Sequence, residues 1–346
     1  MGAQRGKMKL VEKFLPLAIL IMAALLAATF SLAAIYGFTK SIDYGYYTGG
    51  LVLSPLKIQK EKATEIIFVG DIMLDRGVKY MVERQGKRDY KFPFLKISDY
   101  LATSDILFGN LESVISDKGN KVGSIYSFRA SPEALEGLTY AGFDVVSVAN
   151  NHIFDYGREA MEDSFLRLKA SKIDYAGGGF SESEAYSPVI KEVNGLKIAF
   201  LAYTNLGSPH WAAKEEKSGI AWLSQESMQE DIKEVKDKAD LIIVSFHYGD
   251  EYTLKPNPWQ VLISRAAIDA GADLVIGHHP HVVQPYEQYK QGYIFYSLGN
   301  FIFDQGFSEE TTKGQIVEVL IEDKKIKEVI PKEIKINDYF QPEILE

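Results

Sequence analysis

The chain has 346 residues, of which 46% are hydrophobic and 25% are charged, a balance that is typical of a folded protein and excludes disorder over most of the length. The formal net charge of −9, without any sustained basic face, argues against a nucleic-acid partner, because binding a phosphate backbone requires clustered Lys and Arg. Cysteine is absent, so disulfides and thiolate metal ligands are excluded, and any metal must be bound by nitrogen and oxygen atoms.

The N-terminal segment is predicted to cross a membrane. No charged residue occurs between Lys13 and Lys40, and residues 14–38 supply about 25 apolar or small side chains, which is enough to span a bilayer. Basic residues dominate positions 1–13, so the positive-inside rule keeps this end cytoplasmic and places the C-terminal domain outside. A cleaved signal peptide is the main alternative, although its apolar region usually has only about 7–15 residues. A buried soluble helix is the third.

Residues 39–62 are predicted to form a membrane-proximal linker, because they are rich in Gly, Tyr, Ser and Pro and end in a short charged run. The folded domain is then expected over residues 63–346. From Glu65 onward, hydrophobic runs predict β-strands at EIIFVGD, DILFGNLE, DVVSVANN, KIAFLAYTN, DLIIVSFHYG, DLVIGHHPH, YIFYSLGNFIF and GQIVEVLIED. Several of these runs are continuously apolar, as expected of strands that are covered on both faces.

Two segments between these strands have the start and stop signals of helices. In SPEALEGLTYAG, Ser131 is the expected N-cap and Gly142 the C-terminal stop, and in NPWQVLISRAAIDAG these positions are taken by Asn257 and Gly271. The alternation of strands and helices indicates an α/β fold with helical outer layers. After about residue 313, the pattern changes to alternating strands joined by Lys-rich turns.

Polar side chains collect where five of the predicted strands end. In α/β sheets the carboxyl ends of strands form one edge, and ligands bind there. Imidazoles, carboxylates and amides without thiols suit a divalent ion such as Mn, Fe or Zn. The sequence therefore predicts one shared metal site, built from Asp71, Asn110, Glu112, Asn151, His152, His247, His278, His279 and His281.

Each of these residues also has an interpretation without a ligand. Asp71 could be a turn or cap residue and Glu112 a solvated carboxylate, while the asparagines could favour turn geometry and an isolated histidine could be satisfied in the interior. The GHHPH cluster is harder to explain in this way, because His279 and His281 can converge on one centre if Pro280 turns the loop. An explanation without a ligand would have to hold independently at all five strand ends, so we favour the shared metal site.

Six motifs, in this order and spacing, resemble the CapA family, named for capsule and poly-gamma-glutamate biosynthesis, within the calcineurin-like metallophosphoesterase superfamily. They are VGDIML, GNLE, SFRASPEALEGLTYAGFDVVSVANNHIFDYG, SFHYGDEY, GADLVIGHHPHVVQPYE and YSLGNFIFDQ. The likeness extends from about Ile66 to Asp304. It implies a four-layer α/β/β/α sandwich with a dinuclear metal site between the loops at the strand ends.

The resemblance also implies roles for individual residues. His152 would protonate the leaving group, with its ring oriented by either Asp155 or Asp71. The implied metal ligands are Asp71, Asn151, His247, His279 and His281, with His278 as the alternative if the register of the last motif differs by one.

Two departures from the superfamily pattern bear on the number of ions. The superfamily usually has Asp-x-His in its first motif, whereas Met73 stands at the histidine position of this chain. Its second motif usually has Gly-Asp, whereas this chain has Asn110, with Glu112 as the compensating carboxylate. Because an amide replaces the anionic group that would bridge two ions, the site could hold either one ion or two.

Two further residues are candidates for substrate binding. Arg129 could clamp an anionic group through its planar guanidinium, or it could be an exposed surface arginine. Tyr248, with Asp250 and Glu251 beside it, could shape the rim of a substrate site, or this segment could be an acidic solvated loop.

Two functional hypotheses follow. The first is a membrane-anchored, extracytoplasmic, metal-dependent hydrolase or transferase that acts on an anionic cell-envelope polymer, and the pair Asn151 and His152 favours it. The second is a non-catalytic subunit that handles or anchors the polymer for a synthase complex, and the missing histidine and Asn110 favour it. A soluble cytoplasmic phosphodiesterase is disfavoured by the predicted anchor.

Overall fold

The computed structural model of the protein describes residues 63–122 and 125–345. The predicted cytoplasmic N-terminus (1–13), membrane anchor (14–38) and linker (39–62) lie outside the described residues, so these boundaries stay predictions. Among the helices that the structure describes, none is both long and apolar enough to cross a membrane.

The described residues form many short strands and fewer helices. The strands are β1 (Thr64–Ile72), β2 (Ile106–Leu111), β3 (Val114–Ile115), β4 (Arg129–Ala130), β5 (Val145–Ser147), β6 (Asp174–Ala176), β7 (Gly178–Gly179), β8 (Val189–Val193), β9 (Leu196–Thr204), β10 (Gly219–Ile220), β11 (Leu241–His247), β12 (Leu274–His278), β13 (Val283–Tyr289), β14 (Gly292–Leu298), β15 (Asn300–Ile302), β16 (Lys313–Glu322), β17 (Lys325–Ile336) and β18 (Pro342–Ile344). The α-helices are α1 (Arg76–Arg84), α2 (Ser98–Leu101), α3 (Ala134–Ala141), α4 (Gly157–Ala170), α5 (Glu182–Tyr186), α6 (Gln225–Val235) and α7 (Pro258–Ala270).

Most strands belong to two mixed sheets. The first has the order β18, β17, β16, β1, β2, β5, β6, with β15 also paired to β1, and the second has the order β13, β14, β12, β11, β9, β8. The central pairs of both sheets are parallel, from β1 through β2 and β5 to β6, and from β9 through β11 and β12 to β14. Antiparallel strands lie at one edge of the first sheet and at both edges of the second. The carboxyl ends of the central strands therefore share one edge in each sheet.

Three hydrophobic clusters define the layers. One cluster lies between the sheets, where the ring of Phe108 in β2 stacks on Phe200 in β9 with 5.5 Å between centroids. A second cluster packs the first sheet against α3 and α4, through residues such as Leu138 and Phe165. The third packs the second sheet against α6 and α7. The predicted α/β fold with helical outer layers is confirmed.

The predicted helix signals have different outcomes. Helix α7 begins as expected, because Asn257 and Gln260 form a reciprocal capping box, with bonds of 2.9 and 3.0 Å. Gly142 ends α3 in the left-handed conformation, with φ 85°. The prediction that Ser131 is the N-cap of α3 is wrong. The helix begins at Ala134, after tight turns, and the Ser131 hydroxyl donates to Tyr90 instead.

The chain crosses from one sheet to the other at Gly299. The run YIFYSLGNFIF was predicted as one strand, but Gly299 has φ 67° and divides it into β14 and β15. Strand β14 stays in the second sheet, whereas β15 pairs with β1 of the first. This crossing brings Asn300 opposite Asp71.

Candidate metal centre

The register of the strands aligns the polar residues at the sheet edges. Asp71 of β1 lies opposite Asn110 of β2, and His247 of β11 lies opposite His278 of β12. The two edges meet, because His278 Nδ1 lies 3.4 Å from Asp71 Oδ1. Residues from both sheets therefore contribute to one buried cluster, as the strand-end pattern predicted.

Glu112 lies at the centre of this cluster. Its Oε1 atom is 3.6 Å from His281 Nε2, 3.8 Å from His152 Nε2 and 3.9 Å from His247 Nε2. Although Glu112 is fully buried, this oxygen has no hydrogen-bond partner among the described residues. Two ligands at ~2.1 Å from a tetrahedral ion lie ~3.4 Å apart, so these separations suit a cation between the side chains better than direct hydrogen bonds.

Three overlapping groups of side chains could each hold an ion. In each group, one ligand atom per residue lies within 4.8 Å of the others. The groups are Glu112 with His247 and His279, Asp71 with Glu112 and His281, and Glu251 with His279 and His281. The donors are carboxylate oxygens and imidazole nitrogens, which suit Mn, Fe or Zn. The residues present therefore fit the divalent cation that the sequence predicts.

Burial and neighbouring charges set the protonation of these groups. Burial, followed by the charge of Asp71, raises the pKa of Glu112 well above its usual range. Burial would also raise the pKa of Asp71, but contacts with His278 and His281 lower it well below the usual range. Burial and the neighbouring His281 lower the pKa of His279 to about 3. The neutral form of an imidazole is the one that binds a metal, because one of its ring nitrogens has a free lone pair.

The loop after β12 favours the register in which His279 and His281 are the metal-binding histidines. Both have left-handed backbone, with φ 96° and 58°, a conformation that costs non-glycine residues roughly 1–3 kcal/mol. This turn directs both rings into the candidate groups. His278 contacts Asp71 but is in none of the groups found among the described residues.

His152 lies between the cluster and the solvent. Its Nδ1 atom is 2.7 Å from Asp155 Oδ2, and its Nε2 atom faces Glu112. The ring stacks on Phe128 with 4.0 Å between centroids, and the Phe128 backbone N–H donates to the same Asp155 oxygen at 2.7 Å. Of the two carboxylates considered as its partner, Asp155 makes the contact.

The asparagines near the cluster present different atoms to it. Asn110 Nδ2 donates to Asp71 Oδ1 at 2.8 Å and lies 3.2 Å from His247 Nδ1, while Asn110 Oδ1 accepts from Asn150 at 3.2 Å. Asn151 Oδ1 lies 2.8 Å from His247 Nε2. Asn151 therefore offers the oxygen that can bind a metal, whereas Asn110 offers an N–H donor where a bridging oxygen was expected.

Asn300 is a site residue that the sequence analysis missed. Its Oδ1 atom is 3.0 Å from His281 Nδ1, and its Nδ2 atom donates to Gln305 and to the Thr311 carbonyl. A partner on the second ring nitrogen is what fixes the orientation of a metal-binding histidine. The sequence did contain a signal for Asn300, because SLGN ends in a glycine followed by a polar residue, as FVGD and LFGN do.

A cleft of about 420 Å³ opens onto the cluster. His152, His281 and Asn151 line it, and its rim carries the aromatic residues Tyr126, Tyr252 and Phe307. The arginine that lines this cleft is Arg76. It forms an ion pair with Asp304, and its Cζ atom lies 4.6 Å from the centroid of the Phe128 ring. No sequence motif distinguished Arg76 from a surface residue.

The two predicted substrate-binding residues lie away from this cleft. The Arg129 guanidinium donates to two backbone carbonyls of the loop after β3, at 2.9 and 3.2 Å, and lies 4.0 Å above the Tyr156 ring. It thus holds a loop in place. Tyr248 is fully buried and its hydroxyl contacts Ser264 at 2.8 Å, because its position after β11 faces the core under α7. The prediction that Tyr248 shapes the rim of the substrate site is therefore wrong.

Comparison with known proteins identifies relatives. Residues 65–305 match the family described as bacterial capsule synthesis protein PGA_cap. The capsule biosynthesis protein CapA of Bacillus anthracis is 37% identical over 293 residues, which cover 82% of this chain and 70% of that protein. The PGA biosynthesis protein CapA of Bacillus subtilis is 36% identical over 259 residues, which cover 73% of this chain and 67% of that protein.

Solved structures show weaker similarity. A phosphatase from Mycoplasma pneumoniae has 16% identity and a TM-score of 0.48, covering 80% of this chain and 94% of that one. The NAD nucleotidase of Haemophilus influenzae has 12% identity and a TM-score of 0.45, covering 82% of this chain and 60% of that one. Both scores are below 0.5, so the relationship rests on the family match and on the identity to the two CapA proteins. On these grounds, the chain belongs to the bacterial capsule synthesis family PGA_cap, the CapA family.

Proposed function

We propose that this chain is a membrane-anchored, extracytoplasmic protein of capsule or poly-gamma-glutamate biosynthesis that acts as a metal-dependent hydrolase or transferase on an anionic envelope polymer. One observation carries the chemistry: His152, held by Asp155 at 2.7 Å, directs its other ring nitrogen toward Glu112 and the cleft. A proton donor thus stands beside a set of side chains that fits a divalent cation. The role in capsule or poly-gamma-glutamate biosynthesis is supported by the names of the two CapA relatives, a capsule biosynthesis protein and a PGA biosynthesis protein.

The residues of the chain would bind the ion, orient the substrate and move a proton. One or two ions of Mn, Fe or Zn would supply Lewis-acid chemistry and activate a water molecule. Because Asp155 accepts a hydrogen bond from His152 Nδ1, the Nε2 atom is the one free to donate a proton to a leaving group. The side chains that would hold the metal are Asp71, Glu112, Asn151, His247, His279 and His281.

Arg76 is the guanidinium best placed to bind an anionic polymer. Its side chain is 32% exposed in the cleft, and it stacks on Phe128, which in turn stacks on His152. An anionic group bound by Arg76 would therefore lie next to the proposed proton donor. Asp304 holds the guanidinium in this position.

A non-catalytic subunit that handles or anchors the polymer in a synthase complex is the second candidate. Met73, at the position of the superfamily histidine, is fully buried in the core of the first sheet, so this position supplies no imidazole. Asn110 directs an N–H donor toward Asp71. Both features weaken a two-ion site, and they are compatible with a protein that kept the fold for binding.

Replacement of the chromosomal gene distinguishes the two candidates. We expect His152→Ala to reduce cell-bound polymer, measured as glutamate released by acid hydrolysis, by at least ~100-fold, since general acid catalysis contributes ~10²–10⁴ in rate. His210→Ala is the matched control, because His210 is exposed and outside the site. With equal protein levels by immunoblot, a wild-type polymer level in His152→Ala would support the non-catalytic function instead.

The proposed anchor is tested by fractionation. The full chain should stay with membranes after an alkaline carbonate wash, since an apolar segment of about 25 residues spans the bilayer. Protease added outside spheroplasts should digest the domain that follows the anchor. Release into the wash, or a mature N-terminus beyond residue 38 by mass spectrometry, would contradict the single-pass arrangement.

A further inference from the structure

The charged side chains that line the cleft do not match a ligand with a carboxylate on every unit. Of the described residues that line it, Arg76 carries a guanidinium, whereas Glu251 and Asp304 carry carboxylates. Because Asp304 already pairs with Arg76, the charge of Glu251 is in excess. Deeper in the site, Asp71 and Glu112 would balance the charge of one divalent ion. A run of anionic units in the cleft would therefore be repelled at Glu251, which suits a cationic group instead.

Glu251 is held at the exposed side of the cleft by the loop between β11 and α7. The backbone N–H of Tyr248 donates to the His278 carbonyl at 3.1 Å, and that of Tyr252 donates to the Pro280 carbonyl at 2.8 Å. These two bonds lie on either side of Glu251 in the sequence. Its side chain is exposed, whereas the other donors of the candidate metal groups are buried, and two of those groups are complete without it. The carboxylate is therefore available to a ligand in the cleft.

Exposed aromatic rings accompany this carboxylate. The rings of Tyr252 and Phe307 meet edge to face with 4.9 Å between centroids, and these residues are 44% and 65% exposed although both are large and apolar. Burial, followed by the charge of Glu251, raises the pKa of Tyr252 to about 12, because the phenol and the carboxylate are close. A carboxylate beside the electron-rich faces of aromatic rings is a favourable environment for an ammonium group.

The acidic, aromatic end of the cleft lies near its guanidinium end. Asp304 holds Arg76, and the Tyr252 hydroxyl accepts from Gln305 Nε2 at 3.2 Å. Asp304 and Gln305 are consecutive, so their Cα atoms are only ~3.8 Å apart. The cleft volume of about 420 Å³ is also near the lower end of the range for small-ligand sites. These dimensions suit one unit that carries a cationic and an anionic group close together.

We propose that the cleft binds the amino-terminal unit of a poly-gamma-glutamate chain. Its ammonium group would contact Glu251 and the rings of Tyr252 and Phe307, and its α-carboxylate would pair with Arg76. In a γ-linked chain, only this unit carries an ammonium and a carboxylate on the same carbon, because every later nitrogen is a neutral amide. This inference rests on the proposed function for the polymer, and it goes further by assigning the end of the chain that is bound. A free α-amino acid has the same two groups, so the test separates these sources.

The test measures binding to the full chain, purified in detergent and kept in chelator so that no turnover occurs. By calorimetry near neutral pH, we expect wild type to bind γ-linked triglutamate at least ~5-fold more tightly than its N-acetylated form, which lacks the ammonium group. Glu251→Gln should reduce this preference to ~2-fold or less, since only the aromatic contacts remain. Asp250→Asn is the matched control and should keep the preference. It removes the same charge from the same loop, but the Asp250 carboxylate accepts from Asn257 at 2.8 Å.

The outcomes separate this inference from the proposed function. Equal binding of the free and acetylated forms by wild type, a full preference in Glu251→Gln, or an equal loss in Asp250→Asn would each overturn the inference alone. So would a loss of bound Mn²⁺ from reconstituted Glu251→Gln, because the carboxylate would then belong to the ion. Free glutamate that binds as tightly as triglutamate would overturn the assignment to a polymer end. A wild-type chain that binds neither form would contradict the polymer ligand of the proposed function, and thermal unfolding of each variant controls for folding.

Discussion

A single carboxylate orients the proposed proton donor. Asp155 Oδ2 is 2.7 Å from His152 Nδ1 and also accepts from the Phe128 backbone, whose ring stacks on the imidazole. Asp155 therefore fixes both the tautomer and the plane of the ring, while it is in none of the candidate metal groups.

We expect Asp155→Asn to reduce the rate of polymer formation by ~10–100-fold while bound metal stays at the wild-type level, because a partner on the second ring nitrogen contributes about that much. The rate is measured as cell-bound glutamate per unit time, and the metal by elemental analysis of the purified chain. A parallel loss of metal would mean that Asp155 acts on the ion. An unchanged rate would mean that His152 does not need this orientation.

The strand-end pattern located the cluster because buried strands that end in polar residues share one edge of a sheet. Glu112, His247 and His279 could be found in this way. Arg76 could not, because it reaches the cleft from the start of α1 through an ion pair with Asp304, more than two hundred residues later in the sequence. Such pairings depend on the crossing of the chain between the sheets, which no local sequence pattern contains.

At the scale of elements, the end of strand β12 fits closely against the backbone of the adjacent strand. A Cβ atom at Gly277, just before His278, would lie 2.0 Å from the Tyr296 carbonyl oxygen of the adjacent strand β14. We expect Gly277→Ala to lower the free energy of unfolding by at least ~2 kcal/mol, because a backbone oxygen cannot move aside as a side chain can. Gly306→Ala, where a Cβ meets nothing within 4 Å, should change it by less than ~0.5 kcal/mol. Urea unfolding checks both, and similar values for the two variants would contradict the close fit.

Helix α4 is tied to the segment after β3 by Asp163. This carboxylate accepts from Ser116 Oγ at 2.7 Å and Arg167 Nε at 2.6 Å, and it pairs with Lys118. Burial would raise the pKa of Asp163, but these three contacts lower it below the usual 3.8. Because the folded state has the lower pKa, the contribution to stability is complete above pH 3.8 and is lost as the pH falls through the lowered value.

We therefore expect Asp163→Asn to be less stable than wild type by ~1–3 kcal/mol near neutral pH, which is typical of hydrogen bonds to a charged group. The difference should narrow below pH 3.8, when wild type also becomes neutral at this position. Thermal unfolding at a series of pH values measures it. A difference that is constant across the series would mean that the shape of the side chain matters and its charge does not.

Strand positions were predictable because hydrophobic runs bounded by Gly, Asn or Asp are strong local signals. All eight predicted runs contain strands, and the Asn257 cap of α7 was also predicted. The two-residue strands β3, β4, β7 and β10 were not, because such short pairings are set by tertiary contacts. Ser131 was misassigned as a cap since its hydroxyl finds a partner in Tyr90, far away in the sequence.

At the scale of the whole molecule, the candidate metal centre joins the two sheets. Asp71 and Glu112 lie at or just after the ends of strands of the first sheet, while His247, His279 and His281 lie at or just after the ends of strands of the second. Without a cation, the contact between the sheet edges contains two buried carboxylates, and burial together with the charge of Asp71 raises the pKa of Glu112. A bound cation would neutralise this charge and link both halves of the fold.

Metal binding should therefore stabilise the entire domain. At a free ion concentration of about 100 times Kd, binding adds ~2.7 kcal/mol, which for a domain of this size raises Tm by ~5 °C or more. We expect the metal-stripped chain to regain this increment on addition of Mn²⁺, as measured by calorimetry. Glu112→Gln should have the opposite pattern: it removes a buried carboxylate that is unfavourable without metal, so its stripped form should unfold at a higher temperature than stripped wild type, while Mn²⁺ should raise its Tm far less. If Mn²⁺ raised the Tm of both proteins equally, the ion would bind elsewhere, and the carboxylate at the centre of the cluster would have only a structural role.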